Sequence, residues 1–187
     1  MQITDGAGTN FAAKVDSENK LMTRAVTESE IQHVNEVEEQ VYTAYVALTP
    51  DAVDPSVTGT DDLTFFYIKN TNDLNMIIVG IRAWAESSEY IDVHVQPTGT
   101  PINTTDVTPF NMNLGSGNTA TGDFYKGADI DGMSGGTLVE RFRISANDTN
   151  QTHIYPSGLI MPKNNILILK AGTGGIPLEV FILFYYH

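Results

Sequence analysis

The residues able to do chemistry in this chain are four histidines and a set of loop carboxylates. Asp129-Ile130-Asp131-Gly132, with Asp123 nearby, carries the hard oxygen donors and the glycine of half a calcium loop. Glu140 stands at the twelfth position from Asp129, where an EF-hand places its bidentate glutamate. It follows Gly135-Gly136 and opens a strand-like run, however, and the other ligands are missing. The segment therefore reads as a turn, with no metal site and no cofactor expected. His33, His94, His153 and His187 form no short-spaced pair such as H-E-x-x-H, so zinc chemistry has no anchor. Asn113-Leu114-Gly115-Ser116-Gly117 is the nearest approach to a nucleophile elbow, and its spacing is wrong, which leaves Ser116 a loop residue. A glycosidase needs two facing carboxylates in a cleft, and the single tryptophan, Trp84, offers little sugar-stacking surface. No enzymatic activity is expected.

The elements that must position any site are strands. Seven runs rich in β-branched and aromatic residues, at 40–48, 63–69, 76–85, 90–96, 137–145, 166–171 and 178–186, have strand character. An eighth is expected within 123–125 or around 107–112. Turn chemistry separates them: Asp54-Pro55-Ser56, Pro97-Thr98-Gly99, Pro156-Ser157-Gly158 and Gly172-Thr173-Gly174-Gly175 supply fixed φ, positive φ or side-chain hydrogen bonds. His153 falls just before one of these turns. No helix of 10–15 residues alternates with the strands, which argues against a parallel sheet. The pattern predicts an all-β fold, an antiparallel β-sandwich of jelly-roll type over residues 41–187. A long loop insertion near 97–136, carrying one weak strand or hairpin, is expected to form an exposed apex or side contact.

Alternation tells which strand faces are wet. Ile91, Val93 and Val95 face inward, while Asp92, His94 and Gln96 face out. Met76 to Ile81 and Phe181 to Tyr185 are instead apolar on both faces. Their second face should meet another subunit, through Ile78, Phe181, Leu183 and Tyr185, unless a loop or the N-terminal segment covers it.

Residues 1–40 precede any sustained hydrophobic run and read as an extended N-terminal arm, with too little apolar content to offset the entropy of ordering it. Thr27-Glu28-Ser29-Glu30 fits a capping box, and residues 27–38 remain ambiguous between helix and strand. Ten Lys and Arg against 23 Asp and Glu give 10 − 23 = −13, a field that repels phosphate backbones and anionic lipid, so neither nucleic acid nor a membrane is an expected partner. The longest apolar runs fall well short of the roughly 20 residues that span a bilayer.

The opening Asp5-Gly6-Ala7-Gly8 followed by Ala12-Ala13-Lys14-Val15-Asp16-Ser17-Glu18-Asn19-Lys20-Leu21-Met22-Thr23-Arg24-Ala25-Val26-Thr27-Glu28-Ser29 resembles that of small virion proteins of tailed bacteriophages, the capsid decoration or cement proteins. The resemblance covers about the first thirty residues, and beyond them only the all-β pattern agrees. It implies a structural protein, made in the host cytoplasm, that sits on the outer capsid surface as a homotrimer. Its partners would be the major capsid protein and its own copies. The arm would anchor it to neighbouring capsid subunits through Ile3, Phe11, Lys14, Val15, Leu21, Arg24 and Val26. Similar openings also occur in tail-spike and fibre-associated proteins, so a module binding a host glycan or receptor is the alternative.

Overall fold

The computed structural model describes residues 40–50, 63–146 and 151–187. The seven arm residues named above, the 27–38 segment, His33 and the Asp54-Pro55-Ser56 turn lie outside them. The described residues contain strands and no helix. In chain order the strands are β1 (Val41–Leu48), β2 (Thr64–Asn70), β3 (Met76–Ala85), β4 (Glu89–Val95), β5 (Thr98–Ile102), β6 (Thr105–Asp106) and β7 (Phe110–Asn111). There follow β8 (Gly122–Lys126), β9 (Asp131–Ser134), β10 (Thr137–Ile144), β11 (Gln151–Met161), β12 (Ile166–Ala171) and β13 (Leu178–Tyr186).

Two antiparallel sheets pack into a sandwich. The first is ordered β11-β3-β13-β1-β7, the second β10-β4-β12-β2-β8-β6, and β5 pairs with β9 in a small third sheet. The pairing is nested: β1 lies beside β13, β2 beside β12, β3 beside β11 and β4 beside β10. The predicted strand positions are met within a residue or so at each end, and the antiparallel sandwich is as expected.

Period-two alternation builds the core. Val180, Ile182, Phe184 and Tyr186 on β13 point inward, with Tyr42, Ala44 and Val46 of β1, Ile78 and Ile81 of β3, Ile91 and Val93 of β4, and Leu167 and Leu169 of β12. An aromatic cluster joins the sheets at one end: Phe184 stacks on Tyr42 at 5.6 Å and on Phe124 of β8 at 5.4 Å, and Tyr186 meets it edge-on at 5.8 Å. The Tyr186 hydroxyl donates to the Thr121 carbonyl at 2.7 Å, which satisfies it inside the core. Asn70, fully buried, donates from Nδ2 to the carbonyls of Leu74 and Met161 and accepts from the Asn72 amide, fixing the β2–β3 turn.

Two segments differ from the sequence reading. The stretch 97–136 holds five short strands where one strand or hairpin was expected: β8 covers the expected 123–125 and extends the second sheet, β7 falls within 107–112, and β5 and β9 fold back over the second sheet's outside. Ile130 and Met133 there bury the outward side of Tyr67 and Ile168. The stretch 151–161 is a strand rather than a turn. Pro156-Ser157-Gly158 forms a bulge in it, where the register jumps between Ile154 and Leu159 and Gly158 has φ 68°. Proline is tolerated there because β11 pairs on one side only, as an edge strand.

Buried tyrosines make the fold sensitive to alkali. Burial, followed by the charge of Asp123, pushes the Tyr67 hydroxyl up to about 12, and burial raises Tyr155 and Tyr186 as well. A folded-state pKa above the unfolded value of about 10 means that the stabilisation is complete below pH ~10 and is lost as pH rises through about 12. Urea-unfolding free energy should therefore fall across that window, with tyrosinate absorbance at 295 nm appearing together with unfolding. Full ionisation of all tyrosines near pH 10 in the folded chain would contradict this.

Candidate assembly surface

The outer face of the first sheet is the largest chemical anomaly among the described residues. On β13 the residues between the core positions, Phe181, Leu183 and Tyr185, point away from the sandwich. Register sets their neighbours: Phe181 lies between Tyr45 and Arg82, Leu183 between Thr43 and Gly80, and Tyr185 between Val41 and Ile77. A sheet with one wet side would place polar side chains in these rows. Here they are mostly apolar, and the outer strands extend the face with Ile154 (61% exposed), Ile160 and Phe110 (64% exposed).

A groove of about 460 Å³ runs across this face, walled by Val79, Met112, Ile154, Phe181 and Leu183 and floored in part by Gly80. The β3 bulge shapes it. Leu183 pairs with Gly80 and Phe184 with Ile78, leaving Val79 unpaired. A side chain at position 80 would bring its Cβ to 3.0 Å from the His153 carbonyl oxygen, so glycine lets β11 close against β3. Arg82 is the one charged residue in the lining, and its guanidinium lies over the Phe181 ring at 4.4 Å. Tyr45 stacks on Phe181 at 4.5 Å, and its hydroxyl is pushed up by burial and by Glu179.

The four residues expected at a subunit contact divide. Phe181 and Leu183 line the groove. Tyr185 shares the outer row but is 5% exposed, clustered with Val41 and Ile77. Ile78 is corrected: it points inward, 0% exposed, because the strand parity places Ile77 and Val79 outside instead. On the second sheet's outer face Ile130 and Met133 cover Tyr67 and Ile168, while Tyr90 and Leu138 toward the β4–β10 edge stay exposed.

The remaining candidates are dispersed. Asp131 accepts a hydrogen bond from Asn103 Nδ2, and Asp123 sits on β8 opposite Lys69. Glu140, which would close a calcium loop, instead meets His153 Nε2 at 2.9 Å. No group of three or more His, Asp or Glu able to hold a metal occurs among the described residues. His153 is strand-borne rather than in a turn, and its ring lies between Phe142, stacked at 5.8 Å, and Tyr155, edge-on at 4.9 Å. With Glu140 on β10, it ties the edge of one sheet to the edge of the other. His94 lies on the second sheet's outer side as the alternation required, in the same strand as Asp92, which takes a bidentate pair from Arg141 at 2.6 Å.

Sequence reasoning missed Ile154, Ile160 and Met112. Thr152-His153-Ile154-Tyr155 does alternate, but the Pro-Ser-Gly that follows reads as a chain reversal. Compared with protein-family models, with curated proteins and with solved structures, the chain matches none.

Proposed function

We propose that this chain is a structural protein of a tailed-phage virion, a homotrimer that decorates and stabilises the capsid shell, with the arm of residues 1–40 anchoring it to neighbouring capsid subunits. The observation that carries the assembly part is the apolar outer face of the first sheet, with its groove beside Phe181 and Leu183. The exposed part of this face carries Tyr45, Phe110, Met112, Ile154 and Ile160 around the groove, and clustered exposed apolar residues of this kind mark association sites. The resemblance of the opening sequence to phage decoration proteins supports a phage shell as the place of assembly. The nested strand pairing supports reading the sandwich as a jelly roll, a fold common in shell proteins. An arm adds contact area and avidity without a second folded domain.

Mass photometry of the purified chain should give three times the protomer mass, and the trimer should co-sediment saturably with mature capsid shells that lack it. Removal of residues 1–30 should leave a trimer that no longer binds shells. A trimer that ignores shells would instead favour the tail-associated reading. One feature supports that alternative: a concavity of about 450 Å³ lined by the uncharged Gln40, Asn72, Asn118 and Thr119, with Tyr42 and Tyr186 beneath, suits a neutral sugar. Retention of the trimer by host surface polysaccharide would then be expected.

A further inference from the structure

We infer that the contact between copies is a knob in a groove: the loop that presents Leu114 on one copy enters the groove on the first sheet's outer face of the next. This rests on the self-association proposed above and adds its geometry. Leu114 is 95% exposed, the most exposed large apolar residue described. Its loop, between β7 and β8, is braced from within. The Ser116 amide donates to the Asn113 carbonyl at 2.9 Å, the Asn113 amide to Asn111 Oδ1 at 2.8 Å, and the Asn118 amide to Ser116 Oγ at 3.0 Å. A knob already held in shape loses little conformational freedom when it docks.

Charge points to the same loop. Two copies at −13 repel, so a stable contact must keep carboxylates apart. Residues 107–122 contain no charged side chain, the longest such run in the chain. The groove lining contains no carboxylate, and its one cation, Arg82, already rests on Phe181. The groove's volume of about 460 Å³ is ample for a leucine side chain. Met112 forms part of a copy's own groove wall, while Leu114, two residues on, is turned into solvent and does not line it. Knob and groove are therefore different patches, and in the trimer proposed above their contact repeats head-to-tail. Such contacts close into rings when the rotation allows, as a trimer requires, whereas a two-fold dimer would exchange the same pair reciprocally and give covalent dimers in the thiol test below.

The test uses the full-length chain, whose lack of cysteine makes introduced thiols unambiguous. Leu114→Glu should raise the concentration needed for assembly by about 100-fold or more, while circular dichroism stays that of the folded wild type. The double variant Leu114→Cys with Ile154→Cys, oxidised mildly, should give covalent trimers, and Leu114→Cys alone should give none. A Leu114→Glu chain that still assembles as wild type overturns the knob and leaves the assembly reading standing. A monomeric wild-type protein overturns both.

Discussion

Phe184→Ala should lower the unfolding free energy by about 3–5 kcal/mol, the range for removing a fully buried aromatic ring. Phe184 is 0% exposed and sits where the sheets meet, stacked on Tyr42 from its own sheet and on Phe124 from the other. Removing the ring takes a face from both partners and leaves a void that two hydrogen-bonded sheets cannot close by shifting. Phe184→Leu keeps most of the volume and should cost less than about half as much. Urea denaturation at matched protein concentration checks this, and a loss below about 1 kcal/mol for the alanine variant would mean that the sheets collapse onto the gap. Phe181→Ala is the internal contrast. It lies three residues earlier on the same strand but faces outward, so it should weaken assembly far more than it weakens the folded protomer.

That contrast marks what was legible in the sequence. The runs at 76–85, 166–171 and 178–186 are continuous enough in apolar and β-branched residues that each matches an observed strand end to end. The two-sided character of 76–81 was also legible, but its parity was not. Ile77, Ile78 and Val79 are chemically alike, and which of them faces out depends on pairing with β13 and on the bulge at Val79. Ile78 was misplaced for that reason. In the 97–136 stretch the strand at 123–125 was legible, but most of the rest was not, because its strands are two to five residues long and some are held by partners distant in sequence, as Tyr125 is by Tyr67. In β11 the Pro156-Ser157-Gly158 signal was real, but the edge position converts a turn signal into a bulge. The groove could not be foreseen, since it needs β11, β3, β13 and the residue after β7 side by side.

Glu89→Ala should cost about 2–4 kcal/mol, through a different mechanism. The carboxylate is 1% exposed and accepts from backbone amides alone: Tyr90 at 2.7 Å, Thr173 at 3.0 Å and Gly174 at 3.1 Å. The last two belong to the loop between β12 and β13, where Gly174 adopts φ of 70° and the successive amides of Thr173 and Gly174 turn onto the carboxylate as an anion nest. Alanine would strand these donors, whereas Glu89→Gln keeps one acceptor and should cost about 1 kcal/mol. The loop crosses from the second sheet to the first and delivers β13, the strand that carries Phe181 and Leu183. Loosening it should therefore weaken assembly as well as folding, and glutamine should restore most of both. A Glu89→Ala chain with wild-type melting temperature would place the loop's hold elsewhere, on the 2.7 Å bond from the Gly175 amide to the Pro50 carbonyl, which ties the same loop to the end of β1.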